Sequence, residues 1–110
     1  MELNEYQNLA LRTMKKFDLR REQEINGLLG LAGETGEVCD MLKKHYVLGG
    51  GELNKDALVK ELGDVLWYVA ELCDAFDFTL EDVAKRNIQK LMARHGDEFS
   101  GAGDRTGEGK

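Results

Sequence analysis

Proline is absent from the 110 residues of this chain, and only 7% of them are aromatic. Because proline interrupts helices, its absence is compatible with long helical segments throughout. The two cysteines, Cys39 and Cys73, form no CxxC pair, which argues against a disulfide scaffold or a structural zinc site. No apolar run approaches the roughly 18 residues of a membrane span, and the first residues do not resemble a secretory signal. We therefore expect a reduced, cytoplasmic protein that does not bind membranes.

Positive charge is also in short supply, since 15 basic residues face 21 acidic ones and the formal net charge is −6. Such a surface repels the phosphate backbone of a nucleic-acid polymer, so that we expect no polymer of this kind as a partner. A small phosphorylated ligand remains compatible with the charge, provided that a cation bridges the two.

Apolar residues recur at helical spacing in four segments, which predict a small all-α, four-helix-bundle-like domain. The segments run from about Leu3 to Phe17, Glu22 to Tyr46, Asn54 to Phe76 and Leu80 to His95. Gly49, Gly50 and Gly51 separate the second segment from the third. The composition becomes rich in glycine and polar residues near the end of the chain. We therefore expect one helical domain over residues 1–100 and a flexible tail over residues 101–110.

The second helical segment contains an unusual series of glycines, which recur every three residues at Gly27, Gly30, Gly33 and Gly36. Each glycine costs a helix about 1 kcal/mol relative to alanine. Two explanations fit the pattern. The glycines allow a close approach of another helix, or they leave room beside neighbouring side chains for a metal and a ligand.

Two pairs of acids stand on adjacent predicted helices, Glu34 with Glu37 and Glu61 with Asp64. Residues three apart share one face of a helix, so that antiparallel packing would bring four carboxylates together. Their mutual repulsion would require a cation. Oxygen ligands without histidine or cysteine suit Mg²⁺, and Mn²⁺ could substitute for it. The alternative interpretation is that both pairs are ordinary solvated helix faces.

Polar residues elsewhere could complete such a site. Asn87, Lys90 and Arg94 lie on one edge of the fourth segment, where they could bind phosphate or simply favour the helix dipole. Tyr68 extends the face of Glu61 and Asp64 by one turn. Its hydroxyl could donate a hydrogen bond to a phosphate, or Tyr68 could be a core residue.

Trp67 lies roughly opposite the apolar stripe of the third segment and therefore needs a cover. We favour a subunit interface as that cover, with stacking on a base or packing under the first helix as the alternatives. Gln7 could contact a base if the first helix covers the site.

Three motifs carry a family resemblance: Glu34-Thr-Gly-Glu37, Glu61-Leu-Gly-Asp64-Val-Leu-Trp-Tyr68 and Asn87-Ile-Gln-Lys90-Leu-Met-Ala-Arg94. Together they resemble the MazG family of all-α nucleoside triphosphate pyrophosphohydrolases, and in particular its short, single-domain members from bacteria and phages. Many members have a glutamate where this chain has Gly33, which leaves the number of metal ions open.

The resemblance implies Mg²⁺-dependent hydrolysis of a nucleoside or deoxynucleoside triphosphate to the monophosphate and pyrophosphate, with house-cleaning of non-canonical nucleotides as one role. It implies a homodimer or homotetramer. Four residues are implied both as metal ligands and as catalytic residues: Glu34, Glu37, Glu61 and Asp64. Four others are implied in substrate binding: Tyr68, Asn87, Lys90 and Arg94.

Two other functions are weighed against this one. A di-iron or di-manganese carboxylate bundle uses Glu-x-x-His pairs, but Leu42 and Met92 stand three residues before His45 and His95. A non-enzymatic helical oligomerisation module would need neither the paired acids nor the basic edge. Pyrophosphate release from a triphosphate mixture with Mg²⁺ would separate the three functions.

Overall fold

The computed structural model describes residues 1–96 and contains four α-helices within them. The helices are α1 (Leu3–Leu11), α2 (Arg20–Tyr46), α3 (Lys55–Ala75) and α4 (Leu80–Arg94). Among the described residues no strand occurs, so that the predicted all-α fold is confirmed. The predicted tail, residues 101–110, lies outside the described part of the chain. None of the helices that the structure describes combines the length and apolar character of a bilayer span.

The chain divides into two compact units, Met1–Leu80 and the segment from Glu81 onward. The first unit holds α1, α2 and α3, and α3 contacts both of the others. The second unit holds nearly all of α4, in which an ion pair of 2.9 Å joins Lys85 to Glu81 one turn earlier. Most residues of α4 are exposed within the described structure.

An antiparallel hairpin of α2 and α3 forms the main body of the first unit. Arg20, near the start of α2, donates to the Ala75 carbonyl at the end of α3, at 2.8 Å. One turn further along α2, Gln23 donates to a carboxylate oxygen of Asp74 at 2.9 Å. These contacts fix the register of the two helices, so that the middle of α2 faces the middle of α3.

The connection between α2 and α3 depends on glycine. Gly49 and Gly51 have positive φ angles of 65° and 82°, which side chains other than glycine rarely adopt. Gly50 donates its N–H to the Lys44 carbonyl at 3.0 Å. Asn54 caps α3, since its side chain accepts from the Ala57 N–H at 3.0 Å.

Helix α1 ends at Leu11, well before Phe17, where the apolar spacing predicts its end. The Ala10 carbonyl, which Met14 would need in a longer helix, instead accepts from the Thr13 backbone and from its hydroxyl. The indole N–H of Trp67 also donates to this carbonyl at 3.0 Å. These competing donors end the helix.

The indole N–H of Trp67 therefore bonds to the end of α1 and the residues after it, whereas a subunit interface over the exposed part of the ring stays a prediction. The indole donates to the Thr13 hydroxyl as well, at 3.0 Å, and the ring is half-buried within the first unit. Cover by the first helix was one of the alternatives that the sequence left open.

The buried core of the first unit lies between α1 and the end of α3. It consists of Ala70, Cys73 and Leu80, with Tyr6 and Val69 packed against it. Gln7 is buried there as well and accepts from the Leu80 N–H at 2.7 Å. This amide holds the start of α4 against α1, so Gln7 is a structural residue and the contact with a base proposed for it is wrong.

The four glycines of α2 divide into two pairs with different surroundings. A Cβ atom at Gly27 would lie 2.9 Å from the Leu72 side chain, and one at Gly30 would overlap the Tyr68 ring. A Cβ atom at Gly33 or Gly36 would meet nothing within 4 Å. Close packing therefore explains the first pair, and the second pair leaves open space on the helix.

Candidate metal and nucleotide site

Glu34 of α2 meets Glu61 and Asp64 of α3 where the middle parts of the two helices face each other. One carboxylate oxygen of each residue lies within 4.8 Å of the corresponding oxygens of the other two. Glu34 and Glu61 are partly buried, whereas Asp64 is exposed. Antiparallel packing thus brings together three of the four acids that the sequence pairs.

The electrostatics of this three-acid cluster are unfavourable for anions. Partial burial raises the pKa of the Glu61 carboxyl above its usual value. A hydrogen bond with the Asp64 carboxyl and the charges of Glu34 and Glu37 raise this pKa further. The acids therefore oppose one another's ionisation at close range.

The cluster has the chemistry of a site for a hard divalent cation. Its donors are carboxylate oxygens alone, which Mg²⁺ and Mn²⁺ prefer. Asp40, Asp77 and Glu81, which form ion pairs with basic side chains, are other acids than these three. A bound cation would offset the repulsion that raises the pKa of Glu61, so the residues fit a metal ion.

Glu37 lies one turn after Glu34 and is exposed. It lines a cavity of about 290 Å³ whose other wall includes Glu61 and the glycine-rich connection at Gly50. Glu37 is outside the three-acid cluster but close enough for its charge to raise the pKa of Glu61. His45 also lines this cavity, and its Nδ1 is enclosed without a hydrogen-bond partner in the described structure.

Tyr68 is placed one turn beyond Asp64 on α3, where its ring packs against Gly30 of α2. Its ring also meets the Trp67 ring edge-on, with 5.0 Å between the centroids. Because Gly30 precedes Glu34 by one turn, the tyrosine adjoins the three-acid cluster along the hairpin.

The other residues predicted to bind substrate lie on α4, in the second unit. Asn87, Lys90 and Arg94 are each exposed within the described structure. Their spacing on one edge of α4 agrees with the sequence analysis, and their contact with phosphate stays a prediction.

A second open space, which the sequence analysis does not identify, lies along the first turns of α2. This α1–α2 groove has a volume of about 660 Å³. Its lining comprises Lys15, Lys16, Phe17, Asp18, Glu22, Ile25, Asn26, Leu29 and Gly30. Gly30 belongs to both the groove and the Tyr68 contact, so the groove ends close to the three-acid cluster.

One residue of this groove is held by a buried acid. The Asn26 amide nitrogen lies 3.0 and 3.1 Å from the two carboxylate oxygens of Glu71, whose side chain is 0% exposed. Burial raises the pKa of Glu71, while the bond from Asn26 acts against that rise. An acid on the inner face of α3, two turns after Asp64, is the sequence signal that could have revealed this pair.

Comparison with known proteins agrees with these features. The MazG nucleotide pyrophosphohydrolase domain matches residues 22–99 of the chain. The chain belongs to the MazG family. The gene 37 protein of Mycobacterium phage L5 is 44% identical over 69 residues, which cover 60% of this chain and 60% of that relative. No solved structure gives a significant match.

The MazG match includes α2 from Glu22 onward, α3, α4 and both pairs of acids. The segment before residue 22, which contains α1 and the lysines of the groove, lies outside it. The family match thus covers the hairpin that carries the acids.

Proposed function

We propose that this MazG protein hydrolyses nucleoside triphosphates to the monophosphate and pyrophosphate in a reaction that depends on Mg²⁺. The observation that carries the proposal is the convergence of Glu34, Glu61 and Asp64 on a family hairpin. Carboxylate oxygens that repel one another favour the binding of a divalent cation, and the phosphate oxygens of the substrate would be further ligands of that cation.

Glu34, Glu61 and Asp64 would hold the metal ion, and Glu37 would add a fourth carboxylate from its position one turn along α2. The ion would supply positive charge to the triphosphate and lower the pKa of the attacking water. The carboxylates would also hold the water and the phosphates in the geometry for attack, and this positioning lowers the reaction barrier.

The remaining predicted residues would act on the substrate. The Tyr68 hydroxyl would donate a hydrogen bond to a phosphate or sugar oxygen from its place beside Gly30. Asn87, Lys90 and Arg94 would bind the phosphates from one edge of α4, where charged donors make strong hydrogen bonds to phosphate. These assignments follow the family motif and the exposure of the three α4 side chains.

We further propose that the chain assembles as a homodimer or homotetramer. A groove of about 540 Å³ with mainly apolar lining runs along α2 and α3. Large side chains beside it are strongly exposed, including Leu28 at 61% and Phe76 at 53%. Burial of such side chains against a second copy would stabilise an assembly by the hydrophobic effect.

A pyrophosphate-release assay with a panel of nucleoside triphosphates tests the proposed activity. Wild type should release pyrophosphate with Mg²⁺ and stop when the cation is chelated. Glu61→Gln should lower the rate at least about 100-fold, because Mg²⁺ binds an amide less well than a carboxylate. Asp56→Asn changes an exposed acid in the first turn of α3 and should keep the wild-type rate. A fully active Glu61→Gln protein would contradict the assignment of the site.

A further inference from the structure

The side-chain amide of Asn26 lines the α1–α2 groove, and the buried residue Glu71 fixes its orientation. The Asn26 NH₂ group faces Glu71, because its nitrogen donates to both carboxyl oxygens of that residue. Both Glu71 oxygens lie within 3.1 Å of that nitrogen. The Asn26 carbonyl oxygen accepts no hydrogen bond from residues 1–96, while the residue itself is exposed and lines the groove.

The position of Asn26 relative to the acids suits a nucleotide. Asn26 precedes Glu34 by eight residues on one continuous helix, which corresponds to a rise of about 12 Å. That separation is comparable to the reach from the phosphates of a nucleotide to the far edge of its base. Phe17, Ile25 and Leu29 give the groove apolar surface of the kind that covers a base, and Lys15 and Lys16 add positive charge.

We infer that the α1–α2 groove binds the nucleobase of the substrate and that Asn26 reads a base with an exocyclic amino group. The Asn26 carbonyl oxygen accepts a hydrogen bond from that amino group, as found in cytosine or adenine. Uracil offers a carbonyl oxygen at the equivalent position, which meets the Asn26 oxygen without a proton between them. Glu71 is a positioning residue, since it touches no substrate and acts by fixing the Asn26 amide.

Two alternative orientations of Asn26 show why the buried acid matters. With glutamine at position 71, the neighbouring amide can either accept from the Asn26 NH₂ group or donate to its carbonyl oxygen. Asn26 can then turn over and present its NH₂ group to the groove, where it suits uracil. The structure therefore ties base preference to one buried carboxyl group that lies outside the groove.

This inference rests on the proposed function, and two measurements keep their failures apart. The first is the ratio of kcat/KM for cytidine triphosphate to that for uridine triphosphate, with Mg²⁺. The second is the ratio of affinities for the α,β-methylene analogues of the same nucleotides, measured by calorimetry, which requires no hydrolysis. Wild type should favour cytidine by about tenfold in both, the usual effect of one neutral hydrogen bond.

The Glu71→Gln protein should keep its fold and most of its activity toward cytidine triphosphate, but its preference should fall below about threefold. Asp74→Asn is the matched control, because Asp74 also accepts a hydrogen bond from α2, that of Gln23, and forms none with Asn26. It should keep the wild-type ratio. Asn26→Ala removes the acceptor itself and should lose the preference even if Glu71→Gln is unstable.

The possible results distinguish the role of the groove, the role of Glu71 and the proposed function from one another. Hydrolysis with no preference in wild type, or an unchanged preference in Asn26→Ala, overturns the role of the groove. A preference that survives in folded Glu71→Gln overturns the role of Glu71. Selective binding of the cytidine analogue without any hydrolysis supports the groove and contradicts the proposed function.

Discussion

Individual carboxylates carry the chemistry of this molecule, and two of them have opposite surroundings. Glu61 meets other acids at close range, which disfavours its ionised form and which a cation would offset. Glu71 is fully buried and meets an amide, so that its carboxylate is satisfied by Asn26 within the protein. The first residue suits a metal and the second suits a fixed structural role.

Glu61→Gln should make the metal-free protein at least as stable as wild type, because the substitution removes repulsion toward Glu34 and Asp64. Wild type should gain thermal stability when Mg²⁺ binds the folded state, and the variant should gain less. Melting curves with and without Mg²⁺ measure both effects. An unfolded variant would show instead that Glu61 supports the fold.

The stability of the protein should depend on pH through Glu71. Burial raises the pKa of Glu71 in the folded state above the ordinary value of 4.5. Its contribution to stability is therefore fully present below about pH 4.5 and is lost as the pH rises through the folded-state pKa. Glu71→Gln cannot ionise, so the variant's stability relative to wild type should rise with pH over this range. Urea unfolding from pH 4 to 8 measures the difference, and a difference independent of pH would contradict this account.

At the scale of helices, local spacing predicts most of what the structure contains. The apolar periodicity gives all four helices, and the bounds of α2, α3 and α4 agree within two residues with those expected, because these signals lie within a few residues of each other. The spacing of the acids also predicts their meeting once α2 and α3 are antiparallel. The early end of α1 could not be predicted, since Trp67 lies more than fifty residues from the carbonyl that it contacts.

The same limit explains what the sequence misses within α2. The glycine series indicates either close packing or open space, and the structure contains both. Which glycines pack depends on the partners opposite them, Leu72 and Tyr68, and therefore on the register of the hairpin. The Asn26–Glu71 pair depends on that register as well, so the position of Glu71 on the inner face of α3 reveals its partner only once the register is known.

The two kinds of glycine predict opposite effects of alanine. Gly30→Ala should destabilise the protein by roughly 1–3 kcal/mol, since the added Cβ forces the Tyr68 ring to move. Gly33→Ala meets nothing within 4 Å and should stabilise the helix by up to about 1 kcal/mol. Denaturant unfolding of the two variants tests the register of α2 against α3. Equal effects at both positions would contradict the observed packing.

For the whole molecule, the exposed apolar side chains along α2 and α3 predict self-association. Sedimentation at micromolar concentration should give a dimer or tetramer of the 12.4 kDa chain. Leu28→Gln should weaken this assembly, because Leu28 lines the apolar groove. Leu48→Gln is the matched control, since Leu48 is 63% exposed but lies in the connection after α2. A wild-type monomer would contradict the proposed assembly.

The bond that breaks in the substrate distinguishes the proposed reaction from other hydrolyses of a triphosphate. The acids at the middle of the hairpin are proposed to serve attack of water on the α-phosphorus of a nucleoside triphosphate. Hydrolysis in water labelled with heavy oxygen, followed by mass spectrometry of the products, identifies that bond directly. The account predicts labelled nucleoside monophosphate with unlabelled pyrophosphate, and only with a divalent cation. Release of nucleoside diphosphate with inorganic phosphate, or no hydrolysis of any triphosphate with Mg²⁺ or Mn²⁺, would contradict it.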